Sequence, residues 1–143
     1  QAMGYKHILV AVDLSADSEA LVQKGADLAK PLGAKLSLIH IDVNYAQLYT
    51  GLIDVNLVET RNHIIDEAQS QLNTLAKHVD IPVTHTLVAS GDLAEEITES
   101  IGHFGIDLVI CGHHQDFWSA LISSAKQLIN KTPVDMLMVP LPS

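Results

Sequence analysis

The chain has 143 residues, 48% of them apolar, with eight Lys plus Arg against 17 Asp plus Glu and a formal net charge of -9. That length suits one domain able to bury roughly 70% of its unfolded surface, and the acidic balance weighs against nucleic acid, whose binding needs clustered Lys and Arg. No apolar run approaches the roughly 20 residues of a membrane span and no basic-then-apolar signal opens the chain, so a cytoplasmic protein without membrane contact is expected.

Gln1-Ala2 ahead of Met3 reads as an expression remnant, which leaves residues 4–143 as a single domain. His7 to Asp13 is the first expected strand, and Asp17 to Leu32 the first helix, closed by Gly33. Lys35 to Asp42 is the second strand. Val43 to Asn56 then spans fourteen residues, where most such connections take about two to six. Its Tyr45, Leu48, Tyr49, Leu52, Ile53 and Val55 are too apolar for a solvated linker. Folding onto its own domain, a protein partner and a ligand all remain open for it.

A helix is expected over Leu57 to Val79, with Ile65, Ala68, Leu72, Leu75, Ala76 and Val79 recurring at spacings of three and four as one buried stripe. The third strand is Pro82 to Ala89. Asp92 with Glu95 three residues later forms a capping box before the helix Leu93 to Phe104, and Gly105 stops it. Asp107 to Cys111 is the fourth strand. Its single cysteine has no partner in the chain and reads as a small buried hydrophobe. A loop from Gly112 leads to a helix over Phe117 to Asn130, and Val134 to Val139 is the last strand. Buried strands alternating with helices give an α/β fold around an open five-stranded parallel sheet with helices on both faces.

The loop after the fourth strand, Gly112-His113-His114-Gln115, and the helix to Ala125-Lys126 lie where such folds hold phosphate. Adjacent His113 and His114 with Asp116 invite a metal reading. Neighbouring residues on a regular element point apart, however, and zinc wants three or four convergent ligands, so loop-stabilising hydrogen bonds are the better reading and no metal is expected. No Gly-x-Ser-x-Gly elbow supports hydrolase chemistry, and no catalytic residues are assigned. Phe117 and Trp118 read as core or interface anchors. Eight histidines make the net charge pH-sensitive as a bulk property.

Tyr5-Lys6-His7-Ile8-Leu9-Val10-Ala11-Val12-Asp13-Leu14-Ser15, Asp42-Val43-Asn44-Tyr45, Leu48 to Asn56, and Cys111-Gly112-His113-His114-Gln115-Asp116-Phe117-Trp118-Ser119 resemble blocks of the universal stress protein family, in its A type. The resemblance runs from about Tyr5 to Leu141. It implies a Rossmann-like, adenine nucleotide alpha hydrolase-like sheet of order 3-2-1-4-5, so that Asp13 and Gly112 face one crevice at the switch point where ligands of such sheets sit. It also implies a homodimer built on the strand Val134 to Val139, an edge whose Met136-Leu137-Met138 run carries no charge to deter pairing. Pro140 and Pro142 would end that ladder.

The family's ATP-binding branch places Gly, two residues, a second Gly, nine residues, then Gly and Ser or Thr at this loop. Here Gly112 is kept, but Gln115, Ala125 and Lys126 stand at the other three positions. Glycine there lets backbone amides approach phosphate oxygens, and a β-carbon obstructs that approach. Lys126 supplies a point charge without the amide cradle. Asp13 matches the position that contacts the nucleoside, with a turn-stabilising carboxylate as its alternative role. The other strand-to-helix turns are acidic: Asp17 and Glu19 follow the first strand, Glu95 and Glu96 the third.

The expectation is therefore a non-enzymatic member of the non-ATP-binding branch, without a cofactor. It would act as a homodimer in stress resistance through regulatory protein contacts or phosphorylation, with Ser119, Ser123 and Ser124 on the relevant helix. The alternative is a nucleotide-binding sensor or slow ATPase using Asp13, Gly112 and Lys126.

Overall fold

A computed structural model describes residues 4–14, 16–42, 57–90, 93–112 and 134–140. Five parallel strands, β1 (His7–Val12), β2 (Lys35–Asp42), β3 (Val83–Ser90), β4 (Leu108–Gly112) and β5 (Asp135–Val139), form one sheet in the order β3-β2-β1-β4-β5. Among the described residues three helices accompany it: α1 (Ser18–Leu32), α2 (Leu57–Lys77) and α3 (Leu93–Phe104). The fold class and strand order expected from the sequence are those observed.

Strand side chains alternate between the two faces of the sheet, and two cores result. Ile8, Val10 and Val12 of β1 join Leu36, Leu38 and Ile110 under α1 and α2, where Leu21, Val22, Ala26 and Leu72 close the layer. Leu9 and Ala11 join Ile39, Val109 and Cys111 on the opposite face under α3, which contributes Ile97 and Ile101. Within the expected α2 stripe, Ala68 and Leu72 are buried and Ile65, Leu75, Ala76 and Val79 are half-buried. The stripe therefore seats the helix along its centre and leaves its flanks partly wet.

Helix ends follow local chemistry. Gly33 takes φ 63° after α1, and the N–H groups of Gly33 and Ala34 bond the carbonyls of Lys30 and Ala29. Gly105 takes φ 70° after α3, with its N–H on the Ile101 carbonyl. Both are left-handed caps that a β-carbon would strain. The helix expected to run to Val79 stops at Lys77, because the His78 N–H turns to the Leu75 carbonyl in a tighter last turn.

The strands expected from Pro82 and Asp107 each begin one residue later. Pro82 has no N–H for the ladder. The Asp107 carboxylate leaves the strand to accept hydrogen bonds from the Lys6 and His7 N–H groups at 2.8 and 3.1 Å. Those bonds join the starts of β1 and β4 across 100 residues of sequence.

His7 is the principal buried polar group at that end of the sheet. It is 4% exposed, its Nδ1 lies 3.0 Å from the Phe104 carbonyl and its Nε2 2.7 Å from Ser37 Oγ. A carbonyl only accepts, so Nδ1 carries the proton and Nε2 accepts from the Ser37 hydroxyl. Burial holds the imidazole below its ordinary pKa, the Phe104 carbonyl partly opposing that effect.

Candidate functional site

Order 3-2-1-4-5 makes the chain leave β1 toward β2 on one side while β4 lies on the other, so a crevice opens beyond the carboxyl ends of β1 and β4. Ala11 pairs with Cys111 across these strands, which sets Val12 beside Gly112 and Asp13 one residue further out. The sequence-predicted juxtaposition of Asp13 and Gly112 is therefore present. Gly112 is buried at the strand end, where it also pairs with Val139 of β5. Lys126, Gln115, Ala125, His113, His114 and Asp116 lie outside the described residues, as do the loop over 43–56, Asp92 and the expected helix over 117–130.

Asp13 accepts a hydrogen bond from Ser18 Oγ at 3.4 Å across the turn into α1. Ser18 is 2% exposed, so this weak bond ties the first helical turn to the strand end. The Asp13 carboxylate thus holds the turn and still stands at the crevice. On the neighbouring strand His40 Nδ1 lies 2.9 Å from the Val12 carbonyl and braces the last residue of β1. Between them, Leu14 adopts φ 62°. A γ-branched side chain in the left-handed region is uncommon, and such strain persists where surrounding packing holds it, as the core beneath α1 does here.

The turn walls a cavity of about 290 Å³ between α1 and α2. Leu14 and Leu75 form its apolar part, and Glu19, Gln71, Thr74 and His78 ring it. Glu19 Oε1 stands 3.8 Å from His78 Nδ1, an ion pair whenever that histidine is protonated. Asp13, Asp17 and Glu19 make the turn acidic in composition. Among the described residues no group of three His, Cys, Asp or Glu side chains is arranged to hold a metal ion. No described helix is long and apolar enough to cross a membrane.

Sequence reasoning singles out Asp13 and Gly112 but misses Ser18, His40 and the strained Leu14. Ser18 carries a readable signal, a hydroxyl in the first turn of a helix five residues after a strand-ending Asp. The other two depend on partners brought together by the fold.

Comparison with known proteins agrees with this architecture. The family model described as the universal stress protein family matches residues 4–140. Universal stress protein A of Yersinia pestis is 57% identical over 139 residues, which cover 97% of this chain and 94% of that protein. A hypothetical protein solved as a test case of structural genomics superposes with TM-score 0.71 at 20% identity, covering 97% and 98% of the two chains. The universal stress protein of Archaeoglobus fulgidus solved in complex with dAMP gives TM-score 0.55 at 16% identity, covering 98% and 100%. These structures share the fold, and the curated relative supports a stress-response function. The chain belongs to the universal stress protein family.

Proposed function

We propose that this protein is a cytoplasmic, non-enzymatic stress-response protein that works as a homodimer through protein contacts or phosphorylation, without tight ATP binding. The observation that carries the reading is the substituted phosphate loop: Gln115, Ala125 and Lys126 stand where the ATP-binding branch has two glycines and a hydroxyl residue. The β-carbons of Gln115 and Ala125 obstruct the backbone approach that phosphate binding requires, and Lys126 supplies no hydroxyl. The turn at Asp13, Asp17 and Glu19 on the facing side of the crevice is acidic in composition. For the homodimer, support comes from β5, an edge strand on which Leu137 is 37% exposed.

A second reading, a nucleotide-binding sensor or slow ATPase using Asp13, Gly112 and Lys126, draws on the placement of Asp13 beside Gly112 and on the dAMP-bound relative. The readings part on affinity, since a working sensor needs ATP held at micromolar concentration. Sedimentation velocity tests the primary one. At micromolar concentration the wild type is expected to sediment as a dimer, and Leu137→Lys, which puts a desolvated charge into the paired edge, as a monomer. A monomeric wild type would refute the dimer.

A further inference from the structure

We propose that Tyr5 is a positioning residue for the homodimer: its hydroxyl restrains Asp135, the one charged side chain of β5, and so keeps that edge open to a second copy of this chain. The proposal deepens the homodimer reading and rests on it.

β5 reads Asp-Met-Leu-Met-Val and lies at the sheet edge, with β4 its neighbour among the described residues. Val139 is buried at its carboxyl end, Met136 and Met138 pack partly buried on the core beneath α3, and Asp135 and Leu137 are exposed. A charge on an edge strand deters pairing, because docking a second strand strips water from it. Asp135, two residues from the exposed Leu137, therefore opposes the pairing that the apolar remainder of the strand invites. The Tyr5 hydroxyl meets that charge, donating to Asp135 Oδ2 at 2.7 Å across 130 residues of sequence.

Strand register places the two groups together. Ile8 of β1 pairs with Leu108 of β4, and Leu108 pairs with Asp135. Tyr5 stands three residues before Ile8, so its phenol reaches β5 past the start of β4. The ring is partly buried against the core that holds Ile8 and Leu108, and the Asp107 carboxylate fixes the next two amides, those of Lys6 and His7, at 2.8 and 3.1 Å. The donor thus sits on a segment already tied to the sheet, which lowers the ordering cost of holding the carboxylate. The hydrogen bond to Asp135 raises the Tyr5 pKa above its ordinary value, with desolvation and the Asp135 and Asp107 charges acting in the same direction, so the phenol remains a neutral donor near pH 7. A twofold interface contains every pair twice, and loss of the hydroxyl frees two carboxylates at the paired edges.

Sedimentation equilibrium of wild type, Tyr5→Phe, Asp135→Ala and the double variant tests this role. Tyr5→Phe keeps the ring on the core, removes the hydroxyl alone, and should raise the dimer dissociation constant at least about threefold. Asp135→Ala should dimerise at least as tightly as wild type, and in that background Tyr5→Phe should have no effect, since no carboxylate is left to restrain. An unchanged constant for Tyr5→Phe would overturn the proposal. So would weakening by Asp135→Ala, or an equal loss from Tyr5→Phe in both backgrounds, which would make Tyr5 a packing residue only. A monomeric wild type, or a dimer that survives Leu137→Lys, would refute the pairing through β5 and this role with it. A wild-type dimer lost in Leu137→Lys but indifferent to Tyr5→Phe would leave the pairing standing and remove the role of Tyr5 alone.

Discussion

His7→Phe tests the packing account at its most constrained point. The substitution keeps an aromatic ring between β1 and the end of α3, but it removes the partner of the Phe104 carbonyl, 3.0 Å from Nδ1, and of the Ser37 hydroxyl, 2.7 Å from Nε2. Ser37 is 1% exposed, so water does not readily replace the lost acceptor. Leaving such groups unsatisfied costs about 1–3 kcal/mol, a sizeable share of the roughly 5–15 kcal/mol that holds a domain together. The loss should also depend on pH. Burial lowers the His7 pKa in the folded protein, so as acidity rises the unfolded chain takes up this proton first. The contribution of His7 is complete above the unfolded value of about 6.5 and is lost as pH falls from there through the folded pKa, with a slope of at most about 1.4 kcal/mol per pH unit. Urea unfolding of wild type and variant at intervals from pH 8 to pH 5 gives both quantities. The variant should be less stable at pH 8, and the gap should narrow below about pH 6.5. Parallel profiles, or a gap that widens in acid, would show that His7 is not held neutral by burial.

Two glycines inside helices should respond in opposite senses to alanine. A β-carbon at Gly25 would stand 2.6 Å from Val10 Cγ2 and 3.3 Å from Leu36 Cδ1, both on fully buried side chains. Overpacking of about 1–3 kcal/mol then exceeds the roughly 1 kcal/mol gained in helix propensity, and a lower urea midpoint is expected. At Gly102 no atom of the described residues beyond its own helical turn lies within 4 Å of an added β-carbon, so Gly102→Ala should add about 1 kcal/mol of stability and raise the midpoint. Cys111 is fully buried and its thiol is pushed up to about 12 by burial. Its alkylation by iodoacetamide at pH 8 should be very slow in the native protein and rapid in urea, and comparable rates in both would contradict the buried placement.

The layout of the sheet is legible because buried strands and amphipathic helices write different periods into the sequence. Val10 and Leu38 go to one face and Leu9 and Ile39 to the other, yet all read simply as apolar. Strand boundaries blur where a side chain serves another element. Asp107 reads as the first residue of β4, but its carboxylate binds the amides of Lys6 and His7. His7 leaves no local signal, since its partners lie 30 and 97 residues away and no sequence pattern links them. The same holds at the crevice. Asp13 and Gly112 can be named from their places in the family blocks, whereas the strained Leu14 follows from how the turn is packed.

ATP binding by the wild-type protein tests the central claim most directly. A ligand at a hundred times its dissociation constant stabilises by about 2.7 kcal/mol, and in a domain of this size each kcal/mol raises the melting temperature by roughly 2–4 °C. With micromolar affinity, ATP and magnesium at about 0.1 mM would raise the melting point by roughly 5–10 °C. The substituted loop predicts no shift at that concentration and no change in the emission of Trp118. A saturable rise of several degrees would contradict the account and assign Asp13, Gly112 and Lys126 to a working nucleotide site.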